Sequence, residues 1–449
     1  MAGGCDPSRF QPGAAAEQAH GCPVICLKPN PGPRCRRCVH MQTIWRHRLP
    51  PPGPLPGPPA ALKARHGNRP RCDLVFLLGG LLLAAPRVAR AEDGISYKYE
   101  DYREAGGRIS VQTQSTHLEK NLGTDWRFKA EGVIDAIAGA TPSGQPAPAG
   151  SDQVALTNLH ERRKAWNAEI ARQFSRVNLA LGAANSRESD YVSTGWSLNT
   201  LTDFNQKNTT LLAGIAGTDD DIKVFFQPQI TTKRTNDAIL GITQLLDPRT
   251  SVTFNLSWSR ATGYLADPYK LVLKNVEVLP GIFLRRSFGE NRPGERNKWT
   301  ALAAANRAFP EMNGALDASY RFYQDTFGTS AHTLDLTWLQ RWGGHLVLSP
   351  HLRLYEQSAA DFYYYRLDDA AVVPFSGVPR AQGPFYSSDY RLSALRSYTY
   401  GLKAIWMATD RLQIDMAVEA YDMRGRDGTT PQSAYCRATI VAGGIKLTW

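Results

Sequence analysis

The chain has 449 residues, with 52 Lys and Arg, 41 Asp and Glu, and seven cysteines. Residues 1–91 hold 13 of the basic residues, 3 of the acidic ones and six of the cysteines, so 92–449 keeps 39 basic residues, 38 acidic ones and Cys436. That near-neutral remainder excludes a nucleic-acid partner, which needs a basic surface, and a single cysteine excludes a disulfide framework within 92–449.

In chain order, residues 1–61 contain Pro-rich runs such as LPPPGPLPGPP at 49–59 and no apolar periodicity. Nothing there would pack, and the segment is expected to be disordered and to lie upstream of a true start near Leu62. A zinc site from Cys22, Cys26, Cys35 and Cys38 is the functional rival, with loose spacing and no surrounding fold. Residues 62–91 read as a secretory signal peptide. Lys63, Arg65, Arg69 and Arg71 precede the twelve-residue apolar run Leu74 to Ala85, and Ala89-Arg90-Ala91 supplies the small residues of a cut after Ala91. The run is too short for a membrane helix, which needs about 20 apolar residues.

Residues 92–449 are expected to form one all-β domain. Ile95 to Arg103 and Arg108 to Leu118 read as strands. In Trp126 to Ala138, Trp126, Phe128, Ala130 and Ile134 alternate with Arg127, Lys129, Glu131 and Asp135. Four charges on one strand face suit a water-filled lumen and would be ruinous in a sandwich core. After the Pro- and Gly-rich loop 141–152 come hairpins from Glu161 to Asn185 and from Tyr191 to Gly217, then a polar loop from Thr218 to Lys233. Ala238 to Ser259 is the plainest hairpin: Val252, Phe254, Leu256 and Trp258 share one face and Thr253, Asn255, Ser257 and Ser259 the other, after the turn Asp247-Pro248-Arg249-Thr250. A second long excursion, Ala261 to Lys298, precedes the hairpins Trp299 to Asp325 and His332 to Tyr355. A third long loop, Asp361 to Ser388, precedes the strands Asp389 to Met407, Leu412 to Tyr421 and Ala434 to Trp449.

Short turns alternating with long loops predict a transmembrane antiparallel β-barrel of about sixteen strands, with fourteen as the near alternative. In the last strand, Val441 to Trp449, every second residue is Val, Gly, Ile, Leu and Trp, and the chain stops on the aromatic. This resembles the terminal signal read by the barrel-assembly machinery, so outer-membrane lipid and that machinery are the expected partners. Trp126, Trp299, Trp338, Trp342 and Trp406 are expected in interfacial girdles.

On the polar face the inward set includes Asp135, Glu169, Asp317, Arg321, Asp325, Asp335, Arg341, Arg353, Asp415, Glu419 and Lys446. Opposite charges on one sheet face attract, so cross-strand pairing that holds a wet interior together is one reading. A selectivity ring or substrate path is the other, and the mixed signs argue against strong anion or cation preference. Ser330 and His332 lie two apart near the outer mouth, a spacing also found in outer-membrane phospholipases that use a Ser–His pair. No third triad member is assigned. His345 and His351 would stand about 20 Å apart along a strand, too far for one metal ion. No motif requiring a cofactor is present.

The motifs YEDYREAGGRI at 99–109, AGATP at 138–142, ESDYVS at 188–193, KNTTL at 207–211, GYLADPYK at 263–270, ENRPGER at 290–296, SYRFYQD at 319–325, HLRLYEQSAADFYYY at 351–365 and SDYRLSAL at 388–395 occur in this order. On them the chain resembles a bacterial family catalogued as domain of unknown function 3570. The resemblance implies an outer-membrane barrel and carries over no catalytic residue. The same motifs supply vestibule candidates beside Asp135: Glu188, Asp190 and Tyr191, then Glu290, Arg292 and Arg296. Further along come Arg321 and Asp325, then Arg353, Glu356 and Asp361, then Asp389 and Arg391. An acidic, tyrosine-lined vestibule is expected. The leading expectation is passage of a small hydrophilic solute or ion. A lipid-acting barrel enzyme and a closed binding or structural barrel are the alternatives.

Overall fold

The computed structural model describes residues 93–449 other than 149, 225–228, 268, 369–371 and 376–378. The Pro-rich head, the signal peptide, its cut after Ala91 and the four-cysteine alternative lie outside the described residues. The first seven strands run β1 Gly94–Glu104, β2 Ser110–Leu122, β3 Trp126–Pro142, β4 Leu156–Gln173, β5 Val177–Arg187, β6 Tyr191–Phe204 and β7 Thr209–Lys223. β8 Ile230–Asp247, β9 Thr250–Gly263, β10 Leu271–Leu279, β11 Ile282–Gly289, β12 Glu295–Phe309 and β13 Gly314–Asp325 follow. β14 Ser330–Trp342, β15 Leu346–Gln357, β16 Leu395–Met407, β17 Leu412–Gly425 and β18 Arg437–Thr448 complete the chain. Sixteen of them close an antiparallel barrel in which every strand pairs with its sequence neighbours, β9 pairs with β12, and β18 returns to β1. The two remaining strands, β10 and β11, form a separate two-stranded sheet.

The wall stands as the alternation requires. Outward residues such as Leu240, Phe254, Leu256, Tyr400 and Val418 are exposed, while inward Asp135, Asn199, Asp317 and Glu419 are buried. The two ends of the closed sheet meet in one register, from Gly94 opposite Thr448 to Glu104 opposite Ala438. Closure leaves no unpaired edge, which is what the apolar part of a bilayer demands of strands. The rim holding both ends of the sheet has the tight turns. At Asp247, for example, the carboxylate caps the turn by accepting from the Arg249 amide at 2.7 Å.

Going up the outer face, the wall passes from apolar to aromatic to charged. Trp258 and Trp299 are cross-strand partners, and above them Arg260 reaches diagonally to Glu295 at 3.0 Å. Arg234 and Asp219 make a similar outward pair at 2.6 Å. Trp126, Trp342 and Trp406 sit exposed toward the tight-turn rim. Trp338 is different: it is half-buried, packs against Phe309 at 5.6 Å between ring centroids and lies over Gly314, where an added Cβ would come within 2.3 Å of the ring.

Three departures from expectation bear on the mouth. The expected loop Thr218 to Lys233 is mostly strand, because β7 runs to Lys223 and β8 begins at Ile230. Here the ladder continues above the charged Arg234–Asp219 pair, where both faces are wet and the alternation disappears. β16 begins at Leu395, not Asp389, since Asp389 instead caps a single 3-10 turn by accepting from the Arg391 amide. The excursion after β9, expected as one long loop, contains the β10–β11 hairpin.

Candidate functional site

β9 stands eight places from β1 in the ring of sixteen, as far as two strands can be. Six residues beyond the end of β9, Tyr269 nevertheless packs with Tyr102 of β1, Val111 of β2, Ile137 of β3, Leu159 of β4 and Tyr421 of β17. Its hydroxyl donates to the Asp190 carboxylate at 2.6 Å, in the β5–β6 connection. The buried Lys270 ammonium donates to the Pro142 carbonyl at the end of β3, and the Leu271 amide donates to the Ser143 carbonyl at 2.9 Å. Residues 264–294 therefore cross the barrel mouth from one wall to the opposite one.

A buried ionic cluster fastens this crossing to the β15–β16 connection. Arg391 reaches Asp267 at 2.6 Å and Asp389 at 2.5 Å. Arg292 reaches the same Asp389 at 2.9 Å and Glu290 at 2.7 Å. Glu290 accepts from the Ser387 hydroxyl at 2.5 Å and from the Asp267 amide. Lys270 lies 5.8 Å from the centre of the Tyr390 ring. Three carboxylates thus face three cations, all nearly or fully buried, so this cluster is charge-balanced. Tyr269 and Tyr390 lie beside it. Apolar contacts back it: Phe327, Phe362 and Leu392 form one small core, and Val272, Leu367 and Tyr386 another.

Burial and charge set the protonation of these groups. Burial pushes the Glu290 carboxyl up to about 7, with Arg292 opposing and Asp267 and Asp389 adding to the rise. At Asp267 and Asp389 burial acts the same way, but Arg391 and Lys270 overcome it and hold both carboxyls below their ordinary range. Burial lowers the Lys270 ammonium, against the pull of Asp389 and its neighbours. Asp190 rises to about 6 through burial, which the Tyr269 hydrogen bond only partly offsets.

The other candidates are distributed around the wall. Arg296 pairs with Asp325 at 2.8 Å beside Tyr323, its guanidinium 4.4 Å from the Phe327 ring centre. Tyr191 accepts from Lys233 at 2.8 Å, and Lys233 also holds Asp220. Glu188, three residues before Tyr191, is buried. Asp135 binds Arg163 at 2.5 Å and Thr113 at 2.7 Å. Arg353 holds Asp335 at 2.5 Å, with His351 on the other oxygen at 3.2 Å. Arg321 donates to Thr333 at 3.3 Å. These inward charges are bonded across strands, the pairing that opposite charges on one sheet face favour. Two candidates lie elsewhere: Glu356 is on the outward parity of β15 and bound by Arg426, and Asp361 is exposed beside Gly328. Asp267, Lys270 and Ser387 were missed as site residues, although two of them lie within GYLADPYK.

Ser330 and His332 share the outward face of β14. The His332 Nδ1 lies 2.6 Å from the Tyr320 hydroxyl, and its cross-strand neighbour Glu356 is occupied by Arg426. The Ser330 hydroxyl lies 3.4 Å from that of Ser358. Among the described residues no carboxylate hydrogen-bonds this imidazole, and no group of His, Cys, Asp or Glu is arranged to hold a metal ion.

The model of a family described as "Protein of unknown function (DUF3570)" matches residues 80–231 and 225–444. The chain belongs to this family. No curated protein matches the sequence of this DUF3570 member. Among solved structures, a bacterial polysaccharide outer membrane secretin is 9% identical with a TM-score of 0.44, over 80% of this chain and 98% of that one. Pseudomonas aeruginosa OccK5 (OpdH) is 8% identical with a TM-score of 0.40, over 80% and 98%. The ferric enterobactin receptor of Pseudomonas aeruginosa is 12% identical with a TM-score of 0.40, over 80% of this chain and 60% of the receptor, so the DUF3570 chain spans about three fifths of its length. These neighbours are outer-membrane barrels.

Proposed function

We propose that this DUF3570 protein is an outer-membrane passage for a small hydrophilic solute or ion, with its outer mouth crossed by residues 264–294. The observation that carries the reading is a closed ring of sixteen strands with a polar inner face. Rings of roughly this size enclose more room than wall side chains fill, whereas about eight strands do not. A segment spanning the mouth then acts as the constriction, and the ionic cluster is what holds it there.

The same register that leads into the excursion offers the test. Thr262 pairs with Glu295, and the Gly263 amide donates to the Gly294 carbonyl at 2.9 Å, so β9 and β12 are already closed as a hairpin. Residues 264–293 can be replaced by a tight turn. In planar bilayers the shortened protein is expected to give current steps several times larger than the full protein. A shortened protein that is folded yet silent in every salt would remove the passage reading and leave a closed structural or binding barrel, which the buried, charge-balanced mouth also favours.

Export by the signal peptide, with cleavage after Ala91, and recognition of Val441 to Trp449 by the assembly machinery belong to the same proposal. N-terminal sequencing of the protein recovered from outer membranes checks the cut.

A further inference from the structure

The β10–β11 hairpin leaves the mouth with an apolar tip that none of the described residues covers. Its base is fixed at the rim beside β3: Leu271 is bonded to Ser143, and Gln145 donates to the Ser287 hydroxyl at 3.0 Å. Val272, at the base, is fully buried. Past Asn275, whose amide is held by Asp368 at 2.7 Å, the environment changes. Val278, Leu279, Ile282, Phe283 and Leu284 are 48–63% exposed around the turn at Pro280-Gly281. Gly281 has the positive φ of +77° that the turn requires, and its amide is fixed by Glu277 at 2.8 Å. Arg285 and Arg286 follow at once, exposed and making no ion pair among the described residues.

We infer that this tip dips into the outer leaflet surrounding the barrel, with Arg285 and Arg286 meeting the phosphates of its lipids. Two features favour lipid over a protein surface. The exposed apolar residues lie on both faces of the hairpin and at its turn, so a flat partner would cover half of them, whereas an acyl phase surrounds them all. Unpaired arginines directly behind an apolar tip match an anionic headgroup layer above hydrocarbon. The host leaflet is the source. The hairpin is rooted at the rim, and its paired strands reach about 25 Å, at roughly 3.3 Å per residue, so lipid beside the wall is within range.

The inference rests on the barrel's residence in a bilayer, and two reporters separate the claims. With the six cysteines of residues 1–91 replaced by serine, the remaining Cys436 is buried, so a cysteine placed at Phe283→Cys or Leu240→Cys takes an environment-sensitive dye selectively. Leu240 is 64% exposed on the outward wall. The full protein is reconstituted in 3:1 phosphatidylcholine and phosphatidylglycerol vesicles containing spin-labelled lipid. Both dyes are expected to emit at short wavelength and to be quenched by the labelled lipid. Arg285→Gln with Arg286→Gln should lower quenching at 283 and leave 240 unchanged, the loss being about fivefold in occupancy per arginine. A quenched wall with a tip that emits as in water overturns the hairpin inference alone. A short-wavelength tip that labelled lipid does not quench assigns it to a protein partner or a second copy and likewise overturns it, as does quenching that survives the double substitution. An unquenched wall overturns the membrane reading itself.

Discussion

Glu290 is the residue on which the hold of the crossing segment depends most sensitively. Its carboxyl faces Arg292, Ser387, Asp267 and Asp389, with Lys270 and Arg391 close by, and burial lifts it to about 7 from an ordinary value of 4.5. A raised carboxyl means that the closed state binds the proton more tightly than the open one. Its contribution is therefore complete below about 4.5 and is lost as pH rises through about 7. Asp267 and Asp389 are lowered and work in the other direction, contributing above their ordinary 3.8 and failing only in acid. The protection of residues 264–294 against hydrogen exchange, relative to the intrinsic rate at each pH, should accordingly fall between pH 5 and 8, and Glu290→Gln should flatten that dependence. Arg391 has a different role, since it joins two buried carboxylates from distant segments. Removing one partner of a buried pair leaves uncompensated charge, at about 3–5 kcal/mol. Arg391→Gln is expected to expose the crossing segment to protease while the barrel stays folded, as read by its resistance to unfolding on unheated gels.

At the scale of elements, β3 carries a constraint that its alternation does not advertise. Gly139 has φ of +123°, and an added Cβ would stand 2.0 Å from the Arg108 carbonyl oxygen and 3.0 Å from the Ile109 Cα. Both obstacles are backbone, so the β1–β2 connection, where they lie, cannot yield by moving a side chain. Gly139→Val combines this clash with a backbone conformation costing about 1–3 kcal/mol, and should lower refolding yield in urea titrations into lipid vesicles. β10 and β11 sit at the opposite extreme. They pair only with each other, so substitutions at their tip should leave the barrel's refolding unchanged. The strands of the wall also run longer than a bilayer needs: β4 and β8 have 18 residues each, against roughly 9–11 for a spanning strand. The surplus extends the ladder into water, where Asp219 with Arg234 and Glu295 with Arg260 replace the apolar belt.

For the whole molecule, closure joins the first strand to the last. β1 pairs with β18 along eleven residues, the Trp449 amide donates to the Asp93 carbonyl at 3.0 Å, and Lys120 lies 5.8 Å from the centre of the Trp449 ring. Deleting Trp449 removes that last bond and the terminal aromatic together. The folded fraction in outer membranes is expected to fall several-fold, with the remainder degraded, as measured by the unheated gel shift. Unchanged accumulation would dissociate the terminal strand from assembly. The current steps of the shortened protein address the mouth at the same scale, since the wall is common to both forms and only the crossing segment differs.

The wall of this DUF3570 barrel was legible in its sequence because each strand meets two environments. Residues such as Phe254 and Leu256 against Asn255 and Ser257 record lipid on one side and water on the other, and the turn residues between them record each reversal. That signal is local and repeats every two residues. It fades where both sides are wet, which is why the upper parts of β7 and β8 read as loop. The tertiary structure alone decided that residues 264–294 cross the mouth and that Asp267, Glu290, Asp389 and Arg391 meet. Those residues are up to 124 positions apart, and an ion pair has no period: any carboxylate can meet any cation until the fold fixes the distance between them.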